Sequence, residues 1–235
     1  MNKVKDNNLL INSNDLDNLK IEIDKYDSDI FDNEEQRKQN KEKPFKIIRG
    51  SVPIIFSAPH CVEQLRNGKI KRLEEETGAI VQIIAEKTNC YAIYKTYNNN
   101  DDANYDIEEN NYKSELVDII KKNNIKLLLD IHGAKNEHNF NIEICTDYGK
   151  NVENDDIINS LKKCFKNNEI PKITENTVFK ADSIRTISKY IHTETNIPCV
   201  QLEITGRYRY IENLEGIRKL INSLSDFVDD IKEKI

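Results

Sequence analysis

Two of the four histidines stand where apolar runs end. His60 follows the run 52–58 through Pro59, and His132 follows 125–131, the most apolar strand candidate in the chain. In open α/β sheets, ligands gather in the crevice beyond the carboxyl ends of the strands. Imidazoles at two such ends are therefore a natural start for a zinc site, because neutral nitrogen donors suit that ion. Asp130 lies two residues before His132 on the same strand face, placed to orient the imidazole through a hydrogen bond. The competing reading is that each histidine is a buried, satisfied structural side chain.

A hydrolytic zinc needs a third protein ligand, usually a carboxylate beside two histidines, and an open position for water. Two candidates compete. Glu63 closes a compact His-x-x-Glu spacing with His60, while Glu74, Glu75 and Glu76 stand just ahead of an expected helix. Negative charge suits a helix N-terminus on its own account, so part of that triplet needs no further role. The reaction also needs a base. Glu203 ends the apolar run 197–202, where a charge is costly unless it faces a polar site. Arg207 and Arg209 follow it closely, and guanidinium groups grip carboxylates at two points, which suggests an acidic substrate. They could equally be solvated at a glycine turn. Arg185, opening an expected helix, is a further candidate of that kind. Asn104 belongs to the turn-rich stretch 99–106, expected on the crevice side, where it could donate to a carboxylate or amide. His138 and His192 are read as structural.

These side chains need a frame to bring them together. From residue 44 onward, short β-rich runs alternate with stretches whose apolar residues recur every three or four positions. Residues 45–49 and 52–58 read as a hairpin. Strands follow at 91–94, 125–131, 140–145 and 197–204, with helices marked by residues 79–84, 116–120, 157–165, 184–191 and 214–231. That order predicts one α/β domain over 45–235: three layers, with a mostly parallel mixed sheet covered by helices on both faces. Residues 1–44 are rich in Asn and Asp and are expected to form a polar arm. Within it, residues 19–23 alternate with period two, as an edge strand would.

Composition narrows the function. The 35 basic and 41 acidic residues of the 235-residue chain give a formal charge of −6, with no basic face for nucleic acid. No run is long enough to span a membrane, and the N-terminus lacks a signal-like apolar core, so a soluble, cytoplasmic protein is expected. The five cysteines form no Cys-x-x-Cys pair and read as buried, reduced thiols.

Four ordered segments carry a resemblance. They are Ser57-Ala58-Pro59-His60, Asp102-Ala103-Asn104-Tyr105-Asp106, Asp130-Ile131-His132-Gly133, and Val200-Gln201-Leu202-Glu203-Ile204 followed by Arg207. Together, over residues 45–210, they resemble the N-formylglutamate amidohydrolase family, itself similar to zinc carboxypeptidases and aspartoacylase-type deacylases. The resemblance implies a zinc carboxypeptidase-like fold with one zinc per chain. His60 and His132 would be ligands, with the carboxylate ahead of the first helix, best matched by Glu74, as the third. Glu203 would be the general base and Arg207 the anchor for a substrate carboxylate. The implied reaction is hydrolysis of an amide bond in a small acidic N-acyl amino acid. Where the family carries Asn-Arg, this chain has Asn104-Tyr105, one guanidinium fewer. Two other functions compete: a zinc peptidase for short acidic or γ-linked peptides, and a non-catalytic protein that binds an anionic ligand on the same fold. A binding protein has no use for a base beside an open metal position, which weighs against the last.

Overall fold

The computed structural model describes residues 10–106 and 110–235. Its main sheet contains β1 (Phe45–Ile48), β2 (Val52–Ala58), β5 (Cys90–Lys95), β6 (Leu127–Ala134), β7 (Ile142–Cys145), β8 (Ile173–Glu175) and β9 (Cys199–Thr205). The strand order is β1-β5-β2-β6-β9-β7-β8. The pairs β2–β5, β2–β6, β6–β9 and β7–β8 are parallel, whereas β1–β5 and β7–β9 are antiparallel. A separate hairpin joins β3 (Gln64–Arg66) to β4 (Lys69–Lys71). Helices α1 (Leu16–Phe31), α3 (Thr77–Thr88), α5 (Asp155–Asn167) and α7 (Leu214–Ile231) form the layer on one face, and α4 (Asn111–Asn123) and α6 (Ile187–Thr195) the layer on the other. A short α2 (Glu34–Gln39) leads into β1. The expected three-layer α/β architecture with a mixed sheet is the one the chain adopts.

The two faces of the sheet differ in a way that creates the site. Toward α1, α3, α5 and α7 the central strands stay apolar along their length: Phe56 and Ala58, Leu129 and Ile131, then Val200, Leu202 and Ile204 are all buried in one core. Toward α4 and α6 each strand starts apolar, with Ile55, Leu128 and Cys199, and turns polar toward its carboxyl end. Ser57, then Asp130 and His132, then Gln201 and Glu203 follow at period two and are buried. A polar row thus forms where the smaller helical layer ends.

Three local expectations are corrected. Residues 19–23 are helical, within α1. Leu19, Ile23, Tyr26 and Ile30 form a buried stripe at helical spacing, while Ile21, which supplied the apparent alternation, is 66% exposed. This stripe joins the main core, and α1 comes close to α3 at Gly78, where a Cβ would lie 2.7 Å from Ile30 Cδ1. Residues 45–58 are no hairpin, because β5 lies between β1 and β2. The connection passes tightly beneath the start of β5: Ser51 N and Val52 N both donate to Asn89 O, at 2.9 and 3.0 Å. A Cβ on Gly50 would stand 2.1 Å from that same oxygen, so the crossing requires glycine. Finally, α6 begins at Ile187, capped by the Thr186 side chain, and leaves Ile184 exposed ahead of it.

All five cysteines are buried and free. Among the described residues, no helix is long and apolar enough to cross a membrane.

Candidate metal centre

His60, just beyond the carboxyl end of β2, and His132, near the carboxyl end of β6, meet with ring centroids 4.8 Å apart. Glu74, from the segment between β4 and α3, bridges them. Its Oε1 lies 2.9 Å from His60 Nδ1 and its Oε2 3.1 Å from His132 Nδ1. The backbone fixes that bridge, since Glu74 N donates to His60 O at 2.8 Å and Gly133 N donates to Glu74 Oε2 at 2.9 Å. One donor atom from each of the three residues falls within 4.8 Å of the others, and all three are buried.

The far nitrogen of each imidazole is also held by a carboxylate. Asp102 Oδ1 accepts from His60 Nε2 at 2.8 Å, and Asp130 Oδ2 from His132 Nε2 at 3.0 Å. This leaves both Nδ1 atoms turned to the shared carboxylate, the arrangement in which outer carboxylates fix tautomer and orientation of metal-binding histidines. Burial pushes the Glu74 carboxyl up, but His60 and His132 outweigh it and hold the group well below the usual range. Burial works against a charged His132, yet Asp130 and Glu74 raise it well above an ordinary imidazole. Asp102, also buried, is held down by His60 and Arg66. Lys71, on β4, adds its ammonium to the same group, 2.8 Å from His60 Nδ1 and 2.9 Å from Glu74 Oε1.

Glu203 stands beside this cluster on β9, where its carboxyl is pushed up to about 7, first by burial and then by the charge of Glu74. Gln201 Nε2 donates to Glu203 Oε1 at 2.8 Å. Both groups line a cavity of about 590 Å³ together with His60, Glu74, His132 and Asn104. Another part of the wall comes from residues 178–182 and His138, whose ring stacks on Phe140 with centroids 5.1 Å apart and meets Phe179 edge-on. That wall is tied down by Glu143 on β7, a fully buried carboxylate. Its Oε1 accepts from Thr177 N at 2.5 Å, from Val178 N at 2.7 Å and from the Thr177 hydroxyl, and its Oε2 accepts from Phe179 N at 2.9 Å.

The structure sorts the sequence candidates. It gathers His60, Glu74 and His132 in one cluster, with Glu203 and Asn104 lining the same cavity. Asn104 is partly committed, since its Oδ1 accepts from Ile187 N at 2.7 Å. Glu63 is exposed and outside the cluster: the chain turns away after His60 to enter the β3–β4 hairpin, so the close sequence spacing is not spatial. Arg207 is exposed as well, its Nη2 donating to Asn136 O at 2.7 Å and not lining the cavity, because the chain enters a 3₁₀ turn directly after β9. Arg209 is buried but structural, donating to Glu75 O at 2.5 Å and to Ile204 O at 3.2 Å and filling the space that Gly133 leaves open. Arg185 also lies off the cavity wall; it donates to Tyr105 O at 3.0 Å and stacks on that ring. His192 is paired with Ile197 O, while His138, read as structural, proves to be part of the wall.

Sequence reasoning overlooked Asp102, Arg66, Lys71 and Glu143. The hairpin that carries Arg66 and Lys71 was detectable: Asn67-Gly68 sits between two short alternating runs, and both residues take the positive φ, 51° and 71°, that a two-residue hairpin turn demands.

No family model matches the chain, and no curated protein sequence matches it. Solved structures do share its architecture. The Agrobacterium tumefaciens gene product Atu2144 superposes with a TM-score of 0.56 at 10% identity, over 83% of this chain and 98% of that one. A provisionally assigned carboxypeptidase of Burkholderia mallei superposes at 0.51 with 12% identity, over 80% of this chain and 60% of its own. A bacteriophage poly-gamma-glutamate hydrolase reaches 0.49 at 16% identity, covering 87% and 95%. The fold is the carboxypeptidase-like α/β fold.

Proposed function

We propose that this protein is a zinc-dependent amidohydrolase that cleaves an amide bond of a small acidic N-acyl amino acid, as N-formylglutamate is. The observation that carries the proposal is the convergence of His60, Glu74 and His132 beside Glu203 in one cavity. Two imidazoles and a carboxylate are the donor set of hydrolytic zinc sites, and here both rings are pre-oriented by Asp102 and Asp130. His60 and His132 would bind through Nδ1, and Glu74 through its carboxylate. A zinc ion held there supplies a Lewis acid for the scissile carbonyl.

The remaining work falls to the chain's own groups. Glu203, whose carboxyl burial pushes up from the ordinary carboxylate range, is placed to take a proton from the attacking water and return it to the leaving amine. Gln201 holds Glu203 Oε1, which leaves the second carboxylate oxygen for the proton. Buried surroundings strengthen each of these polar contacts relative to water.

A second reading is a peptidase for short acidic or γ-linked peptides. The cavity favours keeping it: about 590 Å³ lies well inside the range of about 300–1,000 Å³ that accommodates ligands larger than a formylated amino acid. One experiment decides between them. Protein purified without chelator is assayed for metal, then offered N-acyl glutamates and aspartates alongside α- and γ-linked glutamyl peptides. Release of a free amino acid from the N-acyl compounds supports the first reading, and selective cleavage of the peptides the second. A metal-free protein with no turnover of either set overturns both.

A further inference from the structure

Arg207 cannot serve as the carboxylate anchor from where it lies, yet the cavity does contain a guanidinium suited to that task. Arg66, at the end of β3, lines the cavity with the histidines, Glu74 and Glu203. Two contacts fix it in place. Its Nε donates to Asp102 Oδ2 at 2.7 Å, and its Cζ lies 4.7 Å from the centre of the Tyr105 ring. Tyr105 is in turn braced: Asn67 Nδ2 donates to its hydroxyl at 2.9 Å, and Arg185 stacks on the same ring at 4.6 Å. Among the described residues, the Nη1 and Nη2 atoms of Arg66 have no hydrogen-bond partner, and the side chain keeps 33% of its surface exposed.

The other cations lining the cavity are less suited. Lys71 is engaged by His60 and Glu74, Lys135 is on the exposed surface, and Lys180 leans out over the Tyr148 ring. A guanidinium already stacked and tethered at Nε loses little freedom when its two Nη atoms grip a carboxylate, and such paired contacts are stronger and more selective than a lysine's.

We infer that Arg66 is the specificity-determining anchor, binding a carboxylate of the substrate through Nη1 and Nη2. The ligand class is thus an anion whose carboxylate is held on the side of the cavity where Asp102 links Arg66 to His60. The inference rests on the proposed function for its substrate but concerns binding, so it is tested by binding. Glutarate, a dicarboxylate with no amide to cleave, is titrated calorimetrically into the full-length protein, into Arg66→Ala, Arg66→Lys and Arg207→Ala, with zinc content measured for each. The expected result is a weakening of glutarate by tenfold or more in Arg66→Ala at unchanged zinc content, partial recovery in Arg66→Lys, and no change in Arg207→Ala. Wild-type affinity in Arg66→Ala overturns the anchor, as does absence of measurable glutarate binding to the wild type. Loss of zinc together with glutarate in both Arg66 variants also overturns it, assigning the residue to the support of Asp102. Should no amide be hydrolysed while glutarate binding still depends on Arg66, the anchor stands and the hydrolase reading falls.

Discussion

His132 and Glu203 are register partners on the neighbouring parallel strands β6 and β9, so a metal-donor candidate and a base candidate stand on one level and one face of the sheet. Strand spacing of about 4.8 Å places them side by side without a bond between the two side chains. That separation predicts divided roles. Glu203→Gln preserves shape and the contact to Gln201 but removes the basic oxygen, so zinc content should stay at wild-type level while hydrolysis falls by about two orders of magnitude or more. Metal analysis and single-turnover rates on the same preparation check both halves, and loss of metal would make Glu203 a ligand.

The cluster predicts about one zinc per chain. Alanine at His60, Glu74 or His132 should each abolish stoichiometric binding, while Glu63→Ala, at an exposed position outside the cluster, should leave it intact. Retention of metal by Glu74→Ala combined with loss in Glu63→Ala would reverse the assignment of the third ligand.

Helix α1 should be part of the cooperative fold. Ile23 is fully buried in the main core, so Ile23→Ala should cost about 3 kcal/mol, near the middle of the range for such truncations. Chemical denaturation measures it. Deletion through Phe31 should leave an aggregating protein; a soluble, zinc-binding product would show that α1 is dispensable.

Acid and base should move stability through Asp27. Burial, with the nearby charge of Asp24, raises its carboxyl to about 6. The unfolded chain releases that proton near pH 4, whereas the folded chain keeps it until about pH 6, so this contribution is lost as pH rises between the two and stays flat above. Asp27→Asn removes the loss. Its melting temperature should exceed the wild type's at pH 7.5 and approach it at pH 4; an equal gain at both would exclude titration as the cause. The burial-raised Glu76, with a pKa of about 7 and itself influenced by the charge of Asp27, should fall toward the ordinary range in that variant.

Much of the architecture was legible because each central strand writes its own environment in sequence. The period-two switch from Leu128 to Asp130 to His132, against the unbroken Leu129 and Ile131, marks both the covered face and the point where cover ends. Glu203 could be singled out for the same reason. What sequence could not convey was which distant segments share a surface. Asp102 and Arg66 lie 36 positions apart yet are joined by an ion pair, and nothing local distinguishes Arg66 from Arg207. In α1 the alternation of Leu19, Ile21 and Ile23 also fits a strand over so short a window; only Tyr26 and Ile30, farther along, reveal the helical period.

The tether at Glu143 gives the molecule a division of labour. The candidate metal donors and Glu203 reside on strand ends and the segment after the β3–β4 hairpin, while another part of the cavity wall belongs to a stretch between β8 and α6 whose link to Glu143 is made through three backbone N–H groups and one hydroxyl. Backbone donors are indifferent to side-chain identity. The exposed Val178 is therefore free to vary while its hydrogen bond persists, whereas Phe179 is also held by its ring contacts with His138 and Phe140, so this part of the cavity lining can change at some positions without loosening its tether.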